Sequence, residues 1–255
     1  MNEVLAGVRL QLKMFRRNAG HLLIFVTVPF FTAIFLSSIR LTGRSDLEPY
    51  AVLAPALMGL WVVSLDLAGV VLDSERRQGT LELFIASPGV LTRMMTGRVA
   101  VISCLGMLTF LESWLTARIF FHIRLTIHHE WLLGVTLAAI CVATVGVATA
   151  LAGLFVMSRA AHRFANALGY PFYLLGGILV PVTFFPDWLR PLSWLTYLYW
   201  SADLLRAVTR PAPVEHFGLR VAVLLVTGAG TYLAGAGLVR RMLVRMRADG
   251  TAGLS

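Results

Sequence analysis

Three ionisable side chains interrupt long apolar runs of this sequence: Asp66 between Leu65 and Leu67, then Glu112 and Arg118 with Trp114 between them. A charge in hydrocarbon is costly and usually faces protein or a wet cavity. Asp66 and Glu112 are therefore candidates for contacting a polar substrate or a proton, and equally for structural pairing between helices. His122, His128, His129 and Glu130 gather where a metal could be imagined. Their spacing is loosely constrained, and polar residues at an interface with no ligand are the simpler reading.

A denser polar island reads "DSERRQGTLELFIASPG", residues 73–89. Thr80 stands where an N-cap belongs, Gly79 permits a chain reversal before it, and Pro88 opposes continuation past Ser87. The spacing predicts a helix of about two turns between them. Leu81, Phe84 and Ile85 fall at i, i+3 and i+4, a helical face with no tertiary partner in so short a loop. Glu82 suits the positive end of the helix dipole. Such a helix can float on a membrane or plug a groove on a soluble partner, with Glu75, Arg76 and Arg77 as the polar rim of that contact.

Several chemistries are missing. The one lysine, Lys13, lies between Leu12 and Met14, so no G-x-x-x-x-G-K-[ST] phosphate loop exists. G-x-S-x-G, H-E-x-x-H and paired C-x-x-C are absent as well. A membrane-embedded enzyme would need polar groups converging at one depth, which Asp66, Glu112 and the histidines do not obviously do. A purely structural scaffold would leave the ionisable and aromatic residues without a task.

The elements that must carry these residues are set by composition. Of 255 residues 58% are hydrophobic and 14% charged, with a mean hydropathy of +0.77, against about 25% charged in soluble domains. A span needs roughly 20 mainly apolar residues. Six runs qualify: Leu22 to Ile39, Tyr50 to Leu72, Val99 to Phe121, Trp131 to Met157, Phe164 to Val182, and Val221 to Val239. The expected fold is an all-α membrane protein of six transmembrane helices in one domain, 1–255. The first run is too long for a signal-peptide core and reads as a retained span. Cys104 and Cys141 fall inside spans and say little about redox compartment.

Sidedness follows from the cations. Arg9, Lys13, Arg16, Arg17, Arg76, Arg77, Arg93, Arg98, Arg159, Arg163, Arg240, Arg241, Arg245 and Arg247 lie on one side of this topology, which is fourteen of the 22 Lys and Arg. Both termini and the island are thus expected in the cytoplasm. The net charge of +9 is scattered along membrane-flanking segments, which fits anionic lipid headgroups better than nucleic acid.

Three further features complete the layout. In residues 1–20, Val4, Leu5, Val8, Leu12 and Phe15 recur at helical spacing opposite the four cations, which describes an interfacial amphipathic helix, or else a basic topogenic tail. The fourth span carries Ala139, Ala143, Gly146, Ala150 and Gly153, small residues that let helix backbones approach. Residues 183–212 hold several Trp, Tyr and Pro. They read as two short re-entrant helices in the outer leaflet, Asp187 to Leu195 and Trp200 to Val208, with ion pairs Asp187–Arg190 and Asp203–Arg206.

The run "ERRQGTLELFIASP", Glu75 to Pro88, followed by Gly97 and Arg98, resembles the E-R-x-x-G-T-L-E-x-L-x-x-S-P pattern of ABC-2 type (type V) exporter permeases such as daunorubicin and multidrug-exporter membrane subunits. "GGILVPVTFFPDWLRPLSWLTYLYWSADLLRAV", Gly176 to Val208, looks like that family's second hallmark, although this chain reads Leu195-Thr196-Tyr197 where members often carry Pro followed by a hydrophobic residue and Tyr. The resemblance implies two permease chains, identical or mixed, paired with two separate ATP-binding subunits. It also makes the short helix of residues 73–90 a coupling helix seated in an ATPase cleft. Glu75, Arg76, Gly79, Thr80, Leu81, Glu82, Phe84 and Pro88 would then contact the partner, and no cofactor sits in this chain, ATP and Mg being held by the ATPase. The implied activity is export of a hydrophobic or amphipathic solute, such as a drug, antibiotic or lipid-like compound, across a bacterial cell membrane. A permease for a lipid-linked glycan or cell-wall polymer is the alternative.

Overall fold

In a bilayer each backbone N–H must find a carbonyl within its own segment, so charge-free runs rich in Leu, Ala, Val and Phe fold as helices. The computed structural model describes residues 3–17, 26–43, 47–77, 88–123, 127–157 and 169–248, which form helices and connecting turns. The order is α1 (Glu3–Arg17), α2 (Thr27–Leu41), α3 (Glu48–Arg77), α4 (Pro88–Gly106), α5 (Leu108–Phe120) and α6 (Glu130–Met157). A helical stretch at 169–175 and a 3-10 turn (Val182–Phe184) follow, then α7 (Arg190–Trp194), α8 (Tyr197–Thr209) and α9 (Phe217–Ala248).

Four stretches among the described residues are long and apolar enough to cross a membrane: Glu48–Leu65, Arg93–Phe120, Glu130–Ala152 and Phe217–Leu238. The chain is thus a multi-pass, all-helical membrane protein. Helix α2 is apolar but shorter. The first residues of the expected first and fifth spans, from Leu22 and from Phe164, lie outside the described residues.

Four boundaries differ from the sequence reading. Helix α3 continues to Arg77, so the island's loop begins later than residue 73, because neither Gly nor Pro occurs between Gly69 and Gly79 to stop the helix. Pro88 opens α4, at a helix start where its missing N–H costs nothing. The third span is interrupted at Met107, where the Thr109 hydroxyl donates to either the Gly106 carbonyl at 2.7 Å or the Ala56 carbonyl at 2.9 Å. A side chain entering the hydrogen-bond ladder next to glycine is a recognised cause of such a break. The fifth span stops short of Val182: its helix ends at residue 175, and Gly177 takes φ +64°, a left-handed conformation suited to glycine.

Packing relies on small and hydroxyl-bearing residues. The most extensive helix contact joins α6 to α9. A methyl built on Gly228 would lie 2.6 Å from Ala143 Cα, one on Gly146 would lie 2.5 Å from the Gly228 carbonyl, and Gly235 sits against Ala150. The small-residue stripe expected of the fourth span is therefore an interhelical seam. The opposite face of α9 exposes Leu219, Val226 and Leu233 at seven-residue spacing. Helices α2, α3 and α5 are linked by buried hydroxyls, Thr32 Oγ1 to Ser113 Oγ at 2.8 Å and Ser113 Oγ to the Val52 carbonyl at 2.6 Å. Such bonds contribute about 0.6 kcal/mol each within membranes.

Helix α1 docks on α4 through Gly7, against the Met94 carbonyl, and through Gly97, against the Val4 carbonyl. Arg98 is fully buried there, its Nε donating to Gln11 Oε1 at 3.1 Å and its NH2 lying 3.0 Å from Met14 Sδ. Glu3 pairs with Arg93. Leu5 and Leu12 stay exposed on a side of α1 away from the face that docks, while Val4, also exposed in part, has its backbone against Gly97.

Candidate functional site

Helix α3 contributes residues to the lining of more than one cavity. Its middle turns carry Pro55, Met58, Gly59, Trp61, Val62 and Leu65, and these face α2 and the 169–175 stretch across a cavity of about 340 Å³. Gly59 creates the close approach, since a side chain there would collide with Val28 of α2. The opposite wall is aromatic: Phe31, Tyr170 and Tyr173.

Trp61 anchors the floor. It is 4% exposed and stacks on Phe172 at 5.2 Å and on Tyr197 at 5.9 Å between ring centroids. Tyr173 meets Tyr170 edge to face at 6.2 Å, and its hydroxyl lies 3.5 Å from the Met58 carbonyl. Tyr170 itself is 68% exposed, so the cavity has an exposed aromatic rim above a buried aromatic floor. Stacked and edge-to-face rings contribute about 0.5–1.5 kcal/mol per pair beyond their burial. An apolar pocket of several hundred Å³ with few polar groups suits a single small ligand.

The groove was not legible in the sequence because its residues come from three segments far apart in the chain. Phe31, Trp61, Tyr170 and Tyr173 each sit in an apolar run where an aromatic ring draws no notice.

The residues singled out from the sequence fall in three places. Glu75 and Arg76 belong to the last turns of α3 and Pro88 to the first of α4; Gly79, Thr80, Leu81, Glu82 and Phe84 lie outside the described residues. Asp66 is on α3, with its side chain outside the described set. Glu112 is on α5, half-buried, and its Oε2 has no hydrogen-bond partner. Arg118, on the same helix, stacks over Trp114 at 5.3 Å.

Two of the histidines, His128 and His129, have structural partners. His128 Nδ1 lies 3.3 Å from the Thr209 carbonyl and His129 Nε2 lies 3.3 Å from the Ala212 carbonyl, joining the start of α6 to the connection between α8 and α9. Among the described residues no three metal-ligating side chains come together. Cys104 and Cys141 are free thiols with sulfurs 3.7 Å apart.

The segment between the fifth and last spans forms two short helices, as expected, with Arg190 NH1 2.8 Å from Asp187 Oδ1. The first, α7, is shorter than expected, and the second, α8, starts three residues earlier, at Tyr197 after an extended Thr196. The second expected ion pair is not formed. Asp203 pairs with Arg220 of α9 at 3.3 Å, while Arg206 donates to the Gly177 carbonyl and stacks over Tyr50 at 5.0 Å. A neighbouring helix outcompetes the i+3 partner, since an exposed pair within one helix contributes only a few tenths of a kcal/mol.

A family model described as ABC-2 type transporter matches residues 2–209 of this chain, from α1 through the last residue of α8. Comparison with curated proteins finds no match.

Proposed function

The chain belongs to the ABC-2 type transporter family, and from that premise we propose that it is the permease subunit of an ATP-driven exporter moving a hydrophobic or amphipathic solute. Members of this family work with ATP-binding subunits in general. In this reading two copies of the permease, or one and a related chain, pair with two ATPases that hold ATP and Mg. This chain contributes no nucleotide site and no hydrolytic chemistry. All 255 residues form one six-span permease domain in the cell membrane, with both termini and the 73–90 segment in the cytoplasm and residues 183–212 at the outer leaflet. Helix α1 lies at the inner interface with Val4, Leu5 and Leu12 toward lipid.

The observation that carries the substrate class is the aromatic groove between α2, α3 and the 169–175 stretch. Its volume and apolar lining fit one small molecule with rings or alkyl chains, and among the described residues it is a local recess, which favours a solute over a polymer threaded through a tunnel. The cargo can enter such a groove from the bilayer, where its apolar parts already reside. ATP-driven closure of the partners is transmitted through Glu75, Arg76, Gly79, Thr80, Leu81, Glu82, Phe84 and Pro88. Those contacts must favour one state of the spans over the other, or no shift occurs.

The test is uncoupling. Leu81→Ala with Phe84→Ala, in the complex reconstituted with its ATPase, is expected to leave membrane insertion and basal ATP hydrolysis intact and to abolish cargo-dependent transport. Transport at the wild-type rate in that double variant overturns the coupling assignment.

A further inference from the structure

A second cavity, of about 460 Å³, lies where the start of α3, the end of α8 and the start of α9 meet the 3-10 turn. Its chemistry is opposite to that of the aromatic groove. Arg206, Arg210 and Arg220 line it against one carboxylate, Asp203, with Tyr50 and Tyr199 beside them.

The three guanidinium groups are held from different elements. Arg206 stacks over Tyr50 and donates its NH2 to the Gly177 carbonyl, which the left-handed turn at that glycine presents. Arg210 is exposed and donates its NH2 to the Tyr50 hydroxyl. Arg220 NH1 lies 3.3 Å from Asp203 Oδ2. Each of these contacts occupies one nitrogen of a group that carries five N–H donors in a fixed fork. Asp203 offsets one positive charge, and two remain facing a common space. Like charges gathered this way repel, and a bound anion relieves the repulsion.

We propose that this cavity binds an anionic phosphate group. A phosphate offers several oxygens in a tetrahedral array that planar forks can grip in pairs, which a lone carboxylate or a halide does less well. The rim next to the arginines is apolar and open, with Phe184 78% exposed. A ligand with a phosphate head and an apolar tail would place the head on the arginines and the tail along that rim. The shared chemistry is the phosphate, supplied either by a phospholipid headgroup or by a soluble phosphate monoester. The site goes beyond the transport reading, and its absence would leave the coupling assignment untouched.

The test uses the full chain in nanodiscs and three single variants. With mixed phosphatidylcholine and phosphatidylglycerol, native mass spectrometry counts the retained lipid; with phosphatidylcholine alone, glycerol 3-phosphate is titrated and binding is read by thermal shift. Retention of phosphatidylglycerol over phosphatidylcholine is expected. Arg210→Gln should weaken the phosphate ligand about tenfold, the scale of one charge-assisted hydrogen bond. Asp203→Asn should tighten it severalfold, because Arg220 is released toward the cavity. Arg241→Gln, an exposed cation on the far part of α9, should change nothing. This opposed pattern with the lipid identifies a headgroup site, and the same pattern with glycerol 3-phosphate identifies a soluble ligand. No preference for either phosphate ligand, or Arg210→Gln and Asp203→Asn moving binding in the same direction, overturns the proposal. The gain expected from Asp203→Asn keeps the result decisive even if Arg210→Gln fails to fold.

Discussion

Arg98 shows how far one residue's role can lie from its reading in the chain. As a cation near a span end it counts toward cytoplasmic sidedness, yet its side chain is fully buried and ties α4 to Gln11 and Met14 of α1. Replacing it with Ala removes a hydrogen bond from a charged donor to the buried Gln11, a cost of about 1.5–3 kcal/mol. The expected effect is local: hydrogen exchange at residues 3–17 should accelerate by one to two decades, while exchange in α6 is unchanged. Lys in its place should rescue little, since an ammonium lacks the fork that reaches Gln11 and Met14 together. The Gly97-Arg98 pair was legible as part of a motif, but not the reason for it, which is that Gly97 must pass the Val4 backbone for Arg98 to reach its partners. Glu112 argues in the opposite direction. Its Oε2 is buried without a partner, so Glu112→Met should stabilise the protein by about 1 kcal/mol, seen as a rise in Tm of roughly 2–4 °C. A fall in Tm would mean that Glu112 has a structural partner that this conformation lacks.

Among the elements, the α6–α9 seam is the clearest case of packing without a hydrophobic driving force. Because a methyl on Gly228 would meet both Ala143 Cα at 2.6 Å and Ala143 Cβ at 2.9 Å, Gly228→Leu must push the helices apart along the whole contact. A drop in Tm of several degrees is expected in detergent. Gly228→Ala should cost less, and Ala143→Gly in the same chain should recover part of that loss but not all of it, because the Cα clash persists. The measurement is a double-mutant cycle on thermal unfolding, and strict additivity of the two substitutions would argue against direct contact. Half of this seam was readable: Ala139, Ala143, Gly146 and Ala150 mark α6 as a close-packing helix. Its partner was not, because Gly228 and Gly235 recur in a run with several other glycines and nothing in a linear pattern says which helix they meet. The same limit explains Asp203. Within its own helix Arg206 is the obvious partner, and only the fold brings Arg220 alongside. The break at Met107 depends likewise on the Ala56 carbonyl of another helix reaching Thr109.

For the whole molecule, an apolar recess and an arginine-lined one fall at separate positions along α3, the aromatic groove at its middle turns and the arginine cavity at its first turn. The periodicities that foretold helices could not foretell this division, since each cavity is assembled from segments separated by more than a hundred residues. It does allow the solute reading to be tested without disturbing the fold. Trp61 is unsuitable, because its stacking on Phe172 and Tyr197 holds three segments together. Tyr170 and Phe31 are exposed at the rim; truncating Phe31 should change stability by less than about 0.5 kcal/mol, and truncating Tyr170 by at most the roughly 0.5–1.5 kcal/mol of its edge-to-face pair with Tyr173. If the groove receives the cargo, Tyr170→Ala and Phe31→Ala should each raise the half-saturating concentration of an aromatic cargo about three- to tenfold, the value of one aromatic pair. The maximal transport rate and the basal ATPase rate of the complex should stay the same. A lowered maximal rate with unchanged half-saturation would instead assign the rim to the conformational step. Indifference to both substitutions, with transport of an aromatic cargo intact, would remove the groove from the cargo's path.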